Sequence, residues 1–344
     1  MPRNIGDSVV VITGASSGIG RATALAFAQR GATVIVAARR ADLLQEVVQE
    51  CEQVGVQALA VPTDMSDEQA VQELARRAVE QYGRIDTWIN NHGVTSFGYF
   101  DETPMEDFRR VIEVDFFGTV YGCRAALNIF QQQGSGVLIN MGSMVSLLSE
   151  PFVSSYVAAK HAVRGLGMSL RQELMLKGQK NIHVCTVMPA TIDTPFFQHA
   201  ANFLGRAAKA MPPVYSPERV AETYVGLAVR PRREVFVGNM ARQMWLQFLI
   251  APGMTERQIA IMADRLHVYQ DQHPPATSGN LFEPMTEGAR TDGGWGGKEG
   301  EQRRRLMTAG LAAVVPIVLS WRWIQRRRTG PRTLWGKMTA RFAG

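Results

Sequence analysis

Short apolar runs alternate along residues 1–240 with longer segments whose apolar positions recur at helical spacing. Continuous apolar runs such as Ser8–Thr13 and Thr33–Ala38 are typical of strands that are buried on both faces of a parallel sheet. Because parallel strands need crossover helices, the pattern predicts a doubly wound parallel α/β sheet with helices on both faces. Further predicted strands are Val56–Val61, Arg84–Asn90, Gly136–Asn140, Ile182–Val187 and Glu234–Val237.

Two helical segments and an irregular stretch follow the last predicted strand. Met240–Ile250 is strongly apolar and Thr255–Tyr269 is amphipathic. These segments predict a helical extension over residues 241–270 that packs on the core or on a membrane. Residues 271–300 are rich in Pro, Gly, Asp and Glu, which predicts a linker over residues 271–305.

A further apolar segment lies near the end of the chain. Leu306–Trp321 is uncharged and is flanked by Arg303–Arg305 and Arg326–Arg328. As a helix it measures about 24 Å, against a hydrocarbon core of about 30 Å. We therefore expect a membrane-anchor helix over residues 306–325, spanning or interfacial, and a basic tail over residues 326–344. The alternative is a helix in the core or at an oligomer contact.

Composition and charge narrow the classes of partner and of binding site that the chain can have. Hydrophobic residues make up 46% of the chain, which is ample for a buried core. The net charge of +6 comes without an aromatic-basic RNA motif, so we expect no nucleic-acid partner. Three cysteines, an odd number, indicate free thiols in a reducing compartment. The six histidines lack ligand spacing, and we expect no metal site.

A glycine-rich turn joins the first predicted strand to an amphipathic helix. Gly14, Gly18 and Gly20 form G-x-x-x-G-x-G, a variant of the dinucleotide fingerprint of Rossmann-like folds. Glycines let the backbone approach a pyrophosphate, whose charge is stabilised by the N-terminus of the following helix. The turn therefore predicts a dinucleotide site.

The end of the second predicted strand indicates which dinucleotide binds. An acidic side chain there takes the ribose 2′-hydroxyl of NAD, whereas arginine suits a 2′-phosphate. Ala38 lacks a carboxylate, and Arg39 and Arg40 follow it. We expect NADP(H) rather than NAD(H), because a planar guanidinium binds phosphate through two donors. The alternative is that both arginines only solvate the start of the next helix.

A hydroxyl, a phenol and an ammonium follow the fifth predicted strand as Ser143, Tyr156 and Lys160. The spacing of Tyr156 and Lys160 puts both side chains on one face of a helix. A nearby ammonium favours the phenolate, so we expect Lys160 to lower the pKa of Tyr156 from about 10. A tyrosine of this kind can exchange a proton with an alcohol or carbonyl oxygen.

These motifs together resemble the short-chain dehydrogenase/reductase family, in its NADP-preferring branch. The resemblance covers residues 5–240, and the motifs arrive in family order. It implies that Tyr156 is the general acid/base, that Ser143 orients the carbonyl oxygen and that Lys160 holds the nicotinamide ribose. The motifs are TGASSGIG at Thr13–Gly20, Asp64, NNHG at Asn90–Gly93, Ser143, Tyr-x-x-x-Lys and PATIDT at Pro189–Thr194.

The resemblance also implies a set of cofactor contacts around the pyrophosphate, the adenosine and the nicotinamide. These contacts are Gly14, Ser16, Ser17, Gly18, Ile19, Gly20, Arg39, Arg40, Asp64, Met65, Asn91, Gly93, Tyr156, Lys160, Pro189, Thr191 and Thr194.

Two positions depart from the family pattern. Asp115 stands where the family has an asparagine that supports a water behind the lysine, and an ionised aspartate only accepts hydrogen bonds. We expect Asp115 still to hold a water, as a fourth catalytic position with a shifted pH optimum. The alternative is that it packs near a helix bend. His92 replaces a small residue, and packing or a cofactor-side hydrogen bond is favoured over an acid/base role.

The resulting interpretation is an NADP-dependent oxidoreductase that interconverts carbonyl and alcohol groups. The predicted substrate loop, Pro195–Pro213, is mainly apolar, which favours an apolar or lipid-like small molecule. We expect a homo-oligomer that is membrane-associated, with its catalytic domain, residues 1–240, on the cytoplasmic side. The alternative class is a non-catalytic, membrane-tethered scaffold that binds NADP.

Overall fold

The computed structural model describes residues 4–285, 287 and 290–303. The strands among these residues are β1 (Val9–Thr13), β2 (Thr33–Ala38), β3 (Ala58–Pro62), β4 (Thr87–Asn90), β5 (Ser96–Phe97), β6 (Gly136–Met141), β7 (Ile182–Pro189), β8 (Ala201–Asn202) and β9 (Glu234–Val237). Seven of them form one parallel sheet in the order β3-β2-β1-β4-β6-β7-β9, and β5 pairs with β8 outside it. The predicted doubly wound, Rossmann-like fold is confirmed.

Helices cover both faces of this sheet because successive strand residues point to opposite sides. On β1, Val10 and Ile12 pack in the same cluster as Phe27, whereas Val11 packs in a second cluster with Phe130. The helices are α1 (Gly18–Ala28), α2 (Ala41–Gln53), α3 (Glu68–Tyr82), α4 (Met105–Ile112), α5 (Gly118–Gln133), α6 (Ser154–Leu176), α7 (Pro217–Val229), α8 (Asn239–Ile250) and α9 (Pro252–Leu266).

The strand order reverses between β1 and β4, which lie side by side at the centre of the sheet. Crossovers leave β1 and β4 in opposite directions, so a crevice forms outside their carboxyl ends. The glycine turn follows β1 and the segment Asn91–Gly93 follows β4. The topology therefore brings these two motifs to one edge of the sheet.

A π-helical turn, Glu113–Phe117, interrupts the helical stretch that runs from Met105 to Gln133. It lies between α4 and α5, and Asp115 is at its centre. A π-helical turn adds a residue to the local repeat and re-aims the side chains on either side of it. The consequence is that Asp115 points into the protein and is fully buried.

Residues beyond the sheet extend the same compact unit, Met1–Gly297. Met244 of α8 and Ile259 of α9 pack with Leu148 and Met188. The stretch whose composition suggested a linker also hydrogen-bonds to the core through its backbone, beginning at Gln272. Composition does not reveal such main-chain contacts.

The predicted membrane anchor over residues 306–325 and the basic tail over residues 326–344 lie outside the described residues. Within the part of the chain that the structure describes, no helix has both the length and the apolar character needed to cross a membrane.

Candidate active site

A cavity of about 270 Å³ opens at the carboxyl edge of the sheet. Of the predicted site residues, Asp115 and Gly20 do not line it. Those that do are Gly14, Ser16, Ser17, Gly18, Ile19, Arg39, Arg40, Asp64, Met65, Asn91, Gly93, Ser143, Tyr156, Lys160, Pro189, Thr191 and Thr194. Residues that are up to 180 positions apart in sequence thus share one cavity because most of the segments that carry them lie at or after the carboxyl end of a strand.

The glycine turn brings bare backbone to the wall of the cavity. Gly14 has a φ of +64°, and a Cβ there would lie 2.8 Å from the Cα of His92. A Cβ on Gly20 would collide with the carbonyl oxygen of Gly14, so Gly20 serves the packing of α1 against the turn. Exposed backbone at the start of a helix is what a pyrophosphate requires, and the residues present therefore fit a dinucleotide.

The three predicted catalytic groups meet at the inner wall of the cavity. Tyr156 and Lys160 lie one turn apart on α6, and Nζ of Lys160 is 5.3 Å from the centroid of the Tyr156 ring. Ser143 follows β6 after Gly142, and it caps the short 3₁₀ turn Met144–Ser146. Its hydroxyl is close enough to the Tyr156 phenol to lower the pKa of that phenol.

Lys160 forms a buried ion pair with Asp115. Nζ of Lys160 lies 3.0 Å from Oδ2 of Asp115 and donates to the carbonyl oxygen of Met141 at 3.3 Å. Oδ1 of Asp115 accepts a hydrogen bond from the backbone N–H of Val94 at 2.7 Å. Lys160 and Asp115 are 1% and 0% exposed. The π-helical turn thus puts a carboxylate in direct contact with the lysine.

This ion pair changes the expected electrostatics of Tyr156. Burial raises the pKa of the Tyr156 phenol, and the Asp115 carboxylate adds to the rise, whereas the neighbouring Ser143 hydroxyl opposes it. The expected lowering of the pKa by Lys160 is not found, because Asp115 balances the ammonium from 3.0 Å away. Tyr156 is therefore a protonated phenol at neutral pH and can donate its proton.

His92 is held as a neutral packing residue. Its Nδ1 lies 2.7 Å from the hydroxyl oxygen of Thr13. Burial and the nearby charge of Lys160 lower the pKa of His92 to about 3. The ring therefore stays neutral and does not change its charge near neutral pH, which agrees with a packing role.

The two arginines after β2 point to different partners. Arg40 donates from Nη2 to the hydroxyls of Ser16 and Ser17 at 2.9 and 3.0 Å. Arg39 instead donates to main-chain carbonyl oxygens of residues 280–282. These late residues were not predicted to belong to the site, because main-chain partners leave no motif in the sequence.

The other end of the cavity is apolar except for one polar pair. Its wall includes Phe97, Phe197 and Met211. Nδ1 of His267 is hydrogen-bonded to the carboxylate of Glu150, and the His267 ring lies edge-on to Phe97 and Phe197 at 5.1 and 5.2 Å. Sequence reasoning missed this pair, since its members are 117 positions apart with no spacing signal.

Metal ligands and disulfides do not contribute to the site as described. In residues 4–303, apart from 286, 288 and 289, no group of three His, Cys, Asp or Glu side chains is arranged to hold a metal ion. Cys51, Cys123 and Cys185 are buried free thiols.

Comparison with known proteins identifies the family. The short chain dehydrogenase family model matches residues 8–204. YxnA of Bacillus subtilis (strain 168), an uncharacterized oxidoreductase, is 36% identical over 296 residues, which cover 86% of this chain and 80% of YxnA. The chain therefore belongs to the short-chain dehydrogenase/reductase family and is an oxidoreductase of that type.

Two solved structures share the fold. An alcohol dehydrogenase from the archaeon Thermococcus sibiricus, complexed with 5-hydroxy-NADP, is 27% identical with a TM-score of 0.58, and the match covers 67% of this chain and 95% of that one. A short-chain dehydrogenase/reductase from Burkholderia phymatum, in complex with NAD, is 24% identical with a TM-score of 0.64, and covers 72% and 94%. Both neighbours bind nicotinamide cofactors.

Proposed function

We propose that the protein transfers hydride between NADP(H) and a carbonyl or alcohol substrate, with Tyr156 as general acid/base. The observation that carries this proposal is the Tyr156 phenol beside the Ser143 hydroxyl, in the wall of the cavity that the glycine turn also lines. A nicotinamide cofactor supplies or accepts the hydride when it is bound. The remaining chemistry falls to the side chains of this chain.

Proton transfer is assigned to Tyr156. In reduction, the phenol gives its proton to the carbonyl oxygen, and the Ser143 hydroxyl donates a hydrogen bond to the same oxygen. In oxidation, the phenolate takes the proton of the alcohol. The raised pKa of Tyr156 favours the protonated form and therefore the reducing direction at neutral pH.

The cofactor contacts follow the family resemblance. Gly14, Gly18 and Ile19 would surround the pyrophosphate, while Lys160 would hold the nicotinamide ribose. Further proposed contacts are Ser16, Ser17, Gly20, Arg40, Asp64, Met65, Asn91, Gly93, Tyr156, Pro189, Thr191 and Thr194.

Preference for NADP(H) is supported by the charge at the end of β2. Arg40 and the hydroxyls of Ser16 and Ser17 form a cluster of donors, and Ala38 offers no carboxylate to a ribose. A guanidinium beside two hydroxyls suits a phosphate. The Thermococcus sibiricus enzyme, at 27% identity, was captured with an NADP derivative.

The substrate is proposed to have an apolar body. Phe97, Phe197 and Met211 line the end of the cavity that lies near Tyr156, and the Tyr156 ring is 5.6 Å from that of Phe196. Such walls favour lipid-like ketones and alcohols over hydrophilic ones. The polar pair Glu150 and His267 offers one place for a second hydrogen-bonding group.

A panel of ketones and alcohols, assayed with NADPH and with NADH, tests the proposal. We expect turnover of apolar ketones with NADPH and slower turnover with NADH. Equal turnover of small hydrophilic carbonyls would contradict the apolar substrate class. Tight NADPH binding without turnover of any member would favour the alternative, a non-catalytic NADP-binding scaffold.

Membrane association and self-association are proposed from the sequence and from exposed apolar residues. The apolar segment 306–325 would anchor the chain. Met175 and Leu176 on α6 are 69% and 89% exposed, which favours a homo-oligomer. Full-length protein should sediment with membranes while residues 1–303 stay in the supernatant, and identical fractionation of the two would contradict the anchor. Light scattering reports the oligomeric state.

A further inference from the structure

The described residues 277–285 and 290–297, which we call the C-terminal strap, lie against the cavity. Asn280, Pro284 and Met285 of the strap line the cavity. The groove between Gly14 and Tyr156 remains a single cavity beneath these residues. The strap therefore covers the groove without filling it.

One attachment of the strap is at the end of β2. Arg39 donates to the carbonyl oxygens of Asn280, Leu281 and Phe282 at 2.5, 3.2 and 2.9 Å. Nε of Arg110 donates to the same Leu281 carbonyl at 3.0 Å. The Leu281 side chain is 0% exposed and packs in an apolar cluster against which the Tyr156 ring also packs. This attachment combines charge-assisted hydrogen bonds with a buried side chain.

A second attachment lies just after β7. The carboxylate of Asp193 accepts hydrogen bonds from the backbone N–H groups of Gly293 and Trp295 at 2.9 Å each, and of Gly297 at 2.7 Å. Asp193 is only 4% exposed. The indole N–H of Trp295 donates to the carbonyl oxygen of Thr194 at 3.2 Å. Three hydrogen bonds to a buried carboxylate fix the later part of the strap.

Between these attachments the strap contacts the predicted phosphate site. The backbone N–H of Gly18 donates to the carbonyl oxygen of Arg290 at 3.1 Å. Arg40 donates from Nη1 to the carbonyl oxygen of Met285 at 2.9 Å and from Nη2 to Ser16 and Ser17. Arg40 thus joins the strap to the glycine turn.

We propose that the C-terminal strap clamps the bound dinucleotide, and that the two adjacent arginines have different tasks. Arg39 is a positioning residue that anchors the strap, whereas Arg40 binds the 2′-phosphate and sets the preference for NADP(H). Carbonyl oxygens surround the Arg39 guanidinium, and these acceptors repel a phosphate. Arg40 lies beside two hydroxyl donors, Ser16 and Ser17, which add hydrogen bonds to a phosphate. This inference rests on the proposed function for the identity of its ligand.

Cofactor binding and release by the full-length protein test the division of tasks. The affinity and dissociation rate of NADPH and NADH are measured by nicotinamide fluorescence and stopped-flow displacement, without any substrate. Arg40→Ala should weaken NADPH binding by about 30-fold and NADH binding by less than about twofold. Arg39→Ala should raise the dissociation rates of both cofactors by the same factor, about tenfold. Arg257→Ala, at an exposed position of α9, is the matched control and should change neither.

Two further variants separate the clamp from a local effect at Arg39. Leu281→Ala removes the buried anchor and Asp193→Asn weakens the second attachment, and each should raise both dissociation rates as Arg39→Ala does. If one variant fails to fold, the other decides. Selective loss of NADPH in Arg39→Ala, or unchanged dissociation rates in the anchor variants, would overturn the inference. Failure of the wild type to bind either dinucleotide would overturn both this inference and the proposed function. Normal binding without turnover of the ketone panel would overturn only the proposed function.

Discussion

The inner wall of the cavity and the C-terminal strap enclose the same groove by different means. The inner wall consists of side-chain groups, with Tyr156 beside Ser143 and Lys160 paired with Asp115. The strap is held largely by its own carbonyl and N–H groups. Side-chain identity therefore decides the chemistry, whereas the path of the backbone decides the enclosure.

The two regions also differ in what one substitution can remove. Lys160 and Asp115 each have a single charged partner, and both are buried. The strap is attached at Arg39, Leu281 and Asp193, which lie at separate places. We therefore expect that removing one buried charge of the inner wall destabilises the whole fold. Removing one attachment of the strap should loosen only the strap.

Breaking the buried ion pair should have the largest effect on stability. Lys160→Met leaves the Asp115 carboxylate without its cation, which should lower the free energy of unfolding by about 3–5 kcal/mol. Denaturant titration measures this change. Arg30→Ala is the control, because the Arg30–Glu222 pair is 36% and 56% exposed, and its loss should cost less than about 1 kcal/mol. Equal losses in the two variants would contradict a special role for the buried pair.

Loosening the strap should have a smaller and local effect. Leu281→Ala removes a buried leucine, which should destabilise the closed strap by about 2 kcal/mol. Hydrogen exchange of the Gly293, Trp295 and Gly297 amides should become faster, while β1 amides keep their protection. The exposed Leu249→Ala in α8 is the matched control. A uniform loss of protection in the sheet and the strap would show that the two regions are not separable.

Removing the charge of Asp115 should shift the pH dependence of the rate of alcohol oxidation. Asp115 raises the pKa of Tyr156, and alcohol oxidation needs the phenolate, so the rate of oxidation rises with pH toward that pKa. Asp115→Asn should lower this pKa and move the rising limb of the rate profile about one unit to lower pH. The amide oxygen of asparagine can still accept from Val94. An unchanged profile and rate would remove Asp115 from the proton pathway.

The smallest effect is expected at His92. Because the pKa of His92 is lowered to about 3, the ring stays neutral between pH 5 and pH 8. His92→Asn should therefore change kcat by less than about threefold and leave the shape of the pH–rate profile as it was. Loss of a limb near pH 6.5 in the variant would assign His92 an acid/base role.

Local patterns made the sheet and the inner wall predictable. Strands such as Thr33–Ala38 and Glu234–Val237 have the predicted bounds, since apolar runs between turns are a local signal. The glycine turn and the Tyr156–Lys160 spacing are local as well. The contact of Lys160 with Asp115 needed the π-helical turn, whose position depends on tertiary packing.

Long-range main-chain contacts made the strap unpredictable. Arg39 and its partners are 241 to 243 positions apart, and the partners are carbonyl oxygens that every residue possesses. The composition of residues 271–300 instead suggested a linker. The pair Glu150 and His267 was not predicted for a related reason, because only the fold brings the end of α9 close to the segment before α6.

Hydride transfer from deuterated NADPH tests the central claim most directly. Full-length wild type and Tyr156→Phe are incubated with an apolar ketone and NADPH deuterated at the reactive carbon, and the alcohol is analysed by mass spectrometry. The wild type should place deuterium on the carbinol carbon, whereas Tyr156→Phe should form product about 10³-fold more slowly while still binding NADPH. Labelled alcohol formed at the wild-type rate by Tyr156→Phe would contradict the assignment of Tyr156 as the proton donor.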